Sequence, residues 1–280
     1  MKRAMILVFS LVLALSLLAC SAEEVRETTL PAPRETVQYG PAPTDSAPTE
    51  APSEAPREPE VTVEVKDVFV DKAVMLDYDQ TYYFHIPSIH IAGVNTDEVN
   101  QQMYYELYSF INQYVYENPD YPYLGDMGYL WAVNHGIVSV ITEVVVGPDS
   151  SPNPMYIIYN VDLATGQRVE DEAVVKAFGL EPASYREQVR NALEQTYLGM
   201  YQTYYEENQN DEYLAELYRQ QYENTVADAN VSNALPYIDV SGQLCVVADI
   251  YSLAGGDSYR HLVGLSDDLE PAYPKAEPFE

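Results

Sequence analysis

Hydrophobic and polar positions alternate in short runs from Val61 onward. The first run, "VTVEVKDVFV", places every second side chain on one face, which is typical of a half-buried strand. A second extended segment follows at 81–93, where Pro87 restricts that point to a sheet edge or a bulge. Later extended runs are "YLWAVNH", "GIVSVITEVVVG", "MYIIYNVDL", "LPYIDV", "QLCVVADIYSL" and "SYRHLVGL". At the end of "MYIIYNVDL", the stretch Asp162–Gly166 predicts a turn with Gly166 in the left-handed region.

Other segments carry apolar residues at helical spacing. Residues 95–118 contain a stripe made of Val99, Met103, Leu107, Phe110, Ile111 and Val115. Pro182 suits the first turn of a long helix that ends near residue 208, and a further helix follows from residue 211. Strands and helices do not alternate one for one. We therefore predict an α+β fold in which antiparallel sheets pack against two or three helices.

The N-terminus has the layout of a bacterial secretion signal. Lys2 and Arg3 precede an apolar run that is shorter than the roughly 20 residues needed to span a bilayer. The run ends in Leu-Leu-Ala-Cys, which resembles the lipobox of bacterial lipoproteins. The resemblance implies that residues 1–19 are removed and that Cys20 carries a lipid at the outer face of the cytoplasmic membrane. An ordinary cleaved signal with a chance cysteine is the alternative.

Composition divides the rest of the chain. Residues 20–60 are rich in Pro, Ala, Thr, Ser and Glu, so they have little to bury and predict a disordered tether behind the lipid anchor. The folded part is predicted over residues 61–270, either as one unit or as two subdomains divided near residue 180. Residues 271–280 are predicted to be a flexible tail.

The chain of 280 residues has a formal net charge of −30. This excess opposes binding to nucleic acid and to anionic lipid headgroups, and it attracts cationic partners over about a Debye length, roughly 8 Å at physiological salt. If Cys20 is lipidated, Cys245 has no partner for an intramolecular disulfide. Its apolar neighbours predict a buried residue on a strand.

Signals for catalysis or metal binding are weak. The four histidines, His85, His90, His135 and His261, have no spacing typical of a metal site, and no nucleophile elbow, phosphate loop or dinucleotide motif occurs. We therefore expect no metal and no cofactor, and we assign no catalytic residue. Carboxylates are so abundant that a pair at glycosidase spacing would be uninformative.

Two regions are candidates for a binding surface. Most of the 26 tyrosines are expected to be packing residues, and the leading contact surface comprises Tyr197, Tyr201, Tyr204 and Tyr205. The stretch "IYSLAGGDSYRHLVGL" predicts the last hairpin of a sheet, because side chains alternate in direction along a strand and its polar groups cannot all converge. The second candidate surface comprises Asp257, Tyr259, Arg260 and His261.

Several phrases, in order, resemble one known family. "YYFHIPSIHIAGVNTDEVNQQM", which contains Pro87, resembles the opening of the extracytoplasmic domain shared by the anti-sigma factor RsiV and the N-terminal region of the deacetylase PdaC. "YIIYNVDLATGQRVEDEAVVKAF" resembles that family's phrase in which a strand ends Asn-x-Asp-x-x-Thr-Gly before a short helix. The matching positions are Asn160, Asp162, Thr165 and Gly166. The resemblance covers about residues 82–208 and implies an α+β fold with an extracytoplasmic role, either in recognition or in accompanying a wall-modifying enzyme.

These observations lead to a functional expectation. We expect a lipid-anchored, non-enzymatic binding or sensing protein at the bacterial cell surface, whose partner is a cell-wall glycan or a cationic wall-active protein such as lysozyme. The chain has no deacetylase domain, so the resemblance to PdaC implies no such activity here. Two alternatives stay open: a cell-wall hydrolase that uses paired carboxylates, and an architectural lipoprotein without a ligand.

Overall fold

A computed structural model of the protein describes residues 61–75, 80–117, 123–147, 153–253, 258–266 and 269–279. Cys20 and the predicted tether lie outside these ranges. The described residues form strands and helices in the arrangement expected from the sequence, an α+β fold whose sheets are all antiparallel.

The strands form three small sheets. Their bounds are β1 Val63–Met75, β2 Gln80–Ile91, β3 Tyr129–Asn134, β4 Ile137–Val146, β5 Asn153–Asp162, β6 Leu235–Ile238, β7 Leu244–Tyr251 and β8 Ser258–Gly264. We call β1 and β2 the hairpin, β3–β4–β5 the central sheet and β6–β7–β8 the outer sheet. The helices are α1 Asp97–Ile111, α2 Asp171–Ala177, α3 Pro182–Asn208, α4 Glu212–Thr225 and α5 Asp228–Asn233, and a π-helical turn, Asn112–Tyr116, follows α1.

The central sheet is buried on both faces. Along β5, Tyr159 and Val161 join the core formed with α1 and the hairpin, whereas Tyr156 and Ile158 point to the opposite face and pack against the outer sheet. This alternation follows from the period of two in a strand. The far face of the outer sheet is covered by α3, α4 and α5 through a further core that includes Val189.

Several local predictions are confirmed. The stripe on α1 is buried at Val99, Met103, Leu107 and Ile111 and continues to Val115 in the π-helical turn. Pro182 is the first residue of α3. Pro87 lies opposite Asp67, where the register of the hairpin shifts through a bulge. Cys245 is a buried free thiol on β7, and burial raises its pKa to about 12.

The C-terminal segment packs against the hairpin. His85 is hydrogen-bonded through Nε2 to the backbone carbonyl of Glu277 at 2.7 Å, and the Phe279 ring meets the His85 ring edge-on at 5.6 Å. A Cβ atom at Gly128 would lie 2.1 Å from the carbonyl carbon of Lys275. Residues 271–279, for which the sequence predicted a flexible tail, therefore contact the folded body in the structure.

Candidate functional site

A tight turn follows β5 and is built by Asp162, Thr165 and Gly166. The Asp162 carboxylate accepts hydrogen bonds from the backbone N–H of Ala164 at 3.0 Å and from that of Thr165 at 2.8 Å. It also accepts from the Thr165 hydroxyl at 2.9 Å. Gly166 has a φ of +71°, which confirms the prediction of a left-handed residue at this position. The chain therefore reverses sharply and returns along the edge of β5.

The returning segment places Arg168 beside β5. The backbone N–H of Val169 donates to the carbonyl of Asn160 at 2.9 Å, so the segment is held in strand-like pairing. The Arg168 guanidinium lies 4.8 Å from the centre of the Tyr159 ring and donates one Nη2–H to the carbonyl of Ile158 at 3.1 Å. A guanidinium has five N–H donors, so most of them stay available to a ligand.

Asn160 is buried next to this segment, with 3% of its surface exposed. Its Nδ2 donates to the carbonyl of Pro236 at 2.9 Å, which identifies Oδ1 as the remaining acceptor. That oxygen is buried and has no hydrogen-bond partner in the described part of the chain. A buried acceptor without a donor costs about 1–3 kcal/mol. Asn160 Oδ1 is therefore a candidate to accept a hydrogen bond from a ligand.

Asn160 and Arg168 line a cavity of about 500 Å³ beside β5. A second cavity, of about 710 Å³, lies between α2 and the start of α3. Glu170 and Asp171 line both cavities, so the two adjoin. We call the pair the α2 groove. Each cavity has the size of a typical small-ligand site.

Tyr185, near the start of α3, lines the second cavity and has a hydroxyl. The hydroxyl is buried, and the described residues offer it no hydrogen-bond partner. Burial raises the pKa of Tyr185, and the nearby Asp171 carboxylate adds to the effect. The hydroxyl therefore stays protonated at neutral pH and can both donate and accept a hydrogen bond.

The α2 groove combines charges of both signs. Its cations are Arg168, Lys176 and Arg186, and its carboxylates include Glu106, Glu170, Asp171, Glu172 and Glu181. Burial raises the pKa of Asp171, an effect that the Arg168 guanidinium opposes. Within the described ranges the three cations make no ion pair, whereas Arg219 on α4 pairs with both Glu216 and Glu223. The groove thus presents hydrogen-bonding groups that the fold itself leaves free.

The residues on which the sequence resemblance is based have separate roles in the structure. Asp162, Thr165 and Gly166 shape the turn, and only Asn160 lines the α2 groove. Pro87 lies apart from them at the bulge of the hairpin.

The tyrosines of α3 mainly join that helix to α4. Tyr197 is fully buried, with 0% of its surface exposed, and its hydroxyl donates to the carbonyl of Tyr218 at 2.9 Å. It cannot therefore belong to a contact surface, and that part of the prediction is wrong. Tyr201 packs on Tyr197 at 5.0 Å, and Tyr205 stacks on Tyr218 at 4.2 Å. Only Tyr204 of the predicted set is largely exposed, at 45%.

The hairpin of β7 and β8 places the described residues of the second predicted binding surface on different faces of the outer sheet. Arg260 is opposite Asp249 in the register and lies 3.8 Å from its carboxylate. Tyr259 and His261, one position away on either side, point to the other face. Burial lowers the pKa of His261. Asp257 lies outside the described residues, and the others do not converge on one point.

The sequence did not single out Arg168, Asp171 or Tyr185. Each belongs to the groove because the turn after β5 and the start of α3 bring distant segments together. The one local signal is the phrase "TGQRVED", in which an arginine follows the turn glycine by two positions and precedes two acidic residues.

Wider searches identify neither a metal site nor a relative. The described residues contain no group of three or more His, Cys, Asp or Glu side chains placed to hold a metal ion. None of the helices in the described ranges is long and apolar enough to cross a membrane. Comparisons with protein-family models, with curated proteins and with solved structures find no match.

Proposed function

We propose that the protein is a non-enzymatic, extracytoplasmic binding protein that holds a hydroxyl-rich cell-wall glycan in the α2 groove. One observation carries this proposal: Asn160 and Tyr185 line adjoining cavities, and each has a buried polar atom, Oδ1 and the hydroxyl respectively, without a hydrogen-bond partner in the described part of the chain. A sugar offers hydroxyl and amide groups at close intervals, so one ligand can satisfy both.

The chemistry of the groove suits such a ligand. A sugar hydroxyl or an N-acetyl N–H would donate to Asn160 Oδ1, and a second hydroxyl would pair with Tyr185 in either direction. The carboxylates of Glu170 and Asp171 are strong acceptors for further hydroxyls. Hydrogen bonds to charged groups are stronger than neutral ones, so these contacts would contribute both affinity and orientation.

The N-terminal sequence supports a location on the wall side of the membrane. The secretion-signal layout and the lipobox-like cysteine, Cys20, are typical of exported lipoproteins. The resemblance to the extracytoplasmic domain of RsiV and PdaC favours the same compartment and a recognition role. In this proposal the lipid anchors the protein at the outer face of the cytoplasmic membrane, on the side where the cell-wall glycan lies.

A second candidate partner is a cationic wall-active protein such as lysozyme. The formal net charge of −30 favours it, because a strong acidic excess attracts a basic protein at low salt. Such an interaction would weaken steeply as salt rises, whereas glycan binding through hydrogen bonds would change little.

Calorimetric titration of the whole protein with soluble N-acetylglucosamine–N-acetylmuramic acid fragments tests the proposal. Tyr185→Phe removes one hydroxyl from the groove and is expected to weaken binding by roughly fivefold to tenfold. Tyr237→Phe is the matched control, since it removes a buried hydroxyl from the interface between the two sheets, outside the groove lining. No heat of binding to the unaltered protein, or equal effects of the two variants, would contradict the proposal.

A further inference from the structure

We propose that the α2 groove selects glycans that carry a carboxylate, and that Arg168 binds that carboxylate. The inference rests on the proposed function, because it specifies the ligand of the same groove. It concerns the charged substituent of the sugar rather than its hydroxyls.

The first support is the way Arg168 is held. Its guanidinium lies over the Tyr159 ring and is tied to the Ile158 carbonyl by a single Nη2–H. This leaves N–H groups of a planar fork for a ligand, and such a fork matches the geometry of a carboxylate. Stacking on the ring also limits the side-chain motion that would otherwise be lost on binding.

The second support is the distribution of charge. Of the nine Lys and Arg side chains in the described ranges, Lys66, Arg190, Arg219 and Arg260 are each within 4 Å of a carboxylate. Arg168 lines a cavity with Glu170 and Asp171 and nevertheless makes no ion pair in the described ranges. Its charge is therefore available to an anion from solution.

The third support is Asn160, which lines the same cavity as Arg168 and has an unpartnered, buried Oδ1. Asn160 is more than nine-tenths buried, so this acceptor is a fixed part of the site. An acceptor for an N–H or O–H and a fork for a carboxylate, in one cavity, fit a sugar that bears an acidic substituent beside an amide or hydroxyl group.

The carboxylates of the groove limit the charge of the ligand. Glu106, Glu170 and Asp171 line this cavity with Arg168, so each added negative charge on a ligand meets repulsion. A single carboxylate is favoured over a phosphate, which carries about −1.5 to −2 at pH 7.

A matched set of sugars tests the inference on the whole protein. N-acetylmuramic acid differs from N-acetylglucosamine by a lactyl ether with one carboxylate, and N-acetylglucosamine 6-phosphate carries a phosphate instead. Calorimetry or ligand-observed NMR is expected to show N-acetylmuramic acid binding about tenfold more tightly than the neutral sugar. The phosphorylated sugar is expected to bind more weakly than N-acetylmuramic acid.

Two variants of Arg168 and one control complete the test. Arg168→Gln is expected to abolish the roughly tenfold preference for N-acetylmuramic acid over N-acetylglucosamine. Arg168→Lys retains the charge and is expected to keep part of the preference, which guards against loss of folding in the first variant. Arg219→Gln, on α4 and outside the groove, is expected to leave the preference unchanged.

The outcomes separate the two proposals. Equal binding of the acidic and neutral sugars overturns the carboxylate inference and leaves glycan binding standing. Preference for the phosphorylated sugar also overturns it. Failure of all three sugars to bind, while the protein is folded, contradicts the proposed function and the inference together.

Discussion

Ser139 and Asn160 are opposite each other on β4 and β5, and both side chains hydrogen-bond to the backbone of β6. The Ser139 hydroxyl accepts from the N–H of Ile238 at 3.1 Å, and Asn160 Nδ2 donates to the carbonyl of Pro236 at 2.9 Å. These two buried side chains join the central sheet to the outer sheet. Because Asn160 also lines the α2 groove, the joint between the sheets and the candidate site share a residue.

The sheet joint predicts a stability cost for Ser139→Ala. The substitution leaves the buried N–H of Ile238 without its acceptor, which is expected to lower the free energy of unfolding by about 1–3 kcal/mol. Urea denaturation measures the change. Ser184→Ala, at an exposed position near the start of α3, is the control and is expected to stay within about 0.5 kcal/mol of the parent. Equal midpoints for the two variants would show that Ser139 does not join the sheets energetically.

Alanine substitutions at Gly93 and Gly166 distinguish the cost of a left-handed backbone conformation from the cost of a steric clash. Gly93 and Gly166 have φ values of +78° and +71°, so an alanine at either position would have a strained backbone conformation. At Gly93 an added Cβ has nothing within 4 Å, whereas at Gly166 it would lie 2.2 Å from the carbonyl oxygen of Asn95. Gly93→Ala is expected to cost about 1–2 kcal/mol in unfolding free energy. Gly166→Ala is expected to cost at least about 1 kcal/mol more, because the backbone at Asn95 or at the turn must move to make room for the Cβ atom.

The same comparison tests the role of the turn. Gly166 lies two residues before Arg168, so a displaced turn moves the guanidinium away from Tyr159. Gly166→Ala is therefore expected to weaken glycan binding in protein that is still folded, and Gly93→Ala is expected to leave it unchanged. Identical glycan affinities of the two variants would show that the turn does not position Arg168 in the α2 groove.

Glu143 predicts a pH dependence of stability. Burial raises the pKa of its carboxyl, and the hydrogen bond from the Tyr156 hydroxyl at 2.9 Å only partly offsets this. Between the unfolded and the raised folded pKa, the folded protein binds more protons than the unfolded chain. The stability contributed by the protonated group is therefore present at low pH and is lost as pH rises through the folded pKa.

Glu143→Gln isolates this effect, because glutamine keeps an acceptor for Tyr156 and removes the buried charge. The variant is expected to be more stable than the parent at pH 7 and to match it near pH 3. Denaturant unfolding at both pH values measures the difference. Glu187→Gln, at an exposed position on α3, is expected to stay within about 0.5 kcal/mol of the parent at pH 7. A gain that is the same at both pH values would contradict the assignment.

Contacts of the C-terminal segment are expected to limit the quenching of Trp131 fluorescence. Trp131, the single tryptophan, lines a cavity of about 360 Å³ with Lys275 and Glu277. Phe279→Ala removes ring contacts with Tyr83 and His85 and is expected to loosen the segment, so acrylamide should quench Trp131 more strongly. Glu270→Ala, at an exposed position outside the lining of that cavity, serves as the control. Unchanged quenching in Phe279→Ala would mean that the ring does not hold the segment.

Local patterns were sufficient to predict most elements of the fold. The alternation in "VTVEVKDVFV", the stripe on α1 and the helix start at Pro182 depend on neighbours in sequence, and each is confirmed. The exception is α5, which the sequence analysis did not distinguish from the helix that follows residue 211, although Val226 and Ala227 separate the two helices.

The groove depends on contacts that no local pattern encodes. Asn160 lines it because β5 is buried against β6, some 76 positions away in the chain, and Tyr185 belongs to it through the position of α3 beside α2. Tyr197 illustrates the reverse error. Its helical spacing with Tyr201 and Tyr204 suggested a common surface, but packing against α4 and the outer sheet buries it completely.

Side-chain NMR of the whole protein during titration with N-acetylglucosaminyl-N-acetylmuramic acid tests the central claim most directly. We predict saturable shifts of the Asn160 side-chain amide and the Tyr185 ring signals, with the side-chain amide of Asn134, which bonds the Gly242 carbonyl at 2.7 Å outside the groove, unchanged. A titration in which Asn160 and Tyr185 stay fixed, or in which shifts are confined to the exposed tyrosines Tyr204 and Tyr213, would contradict the account.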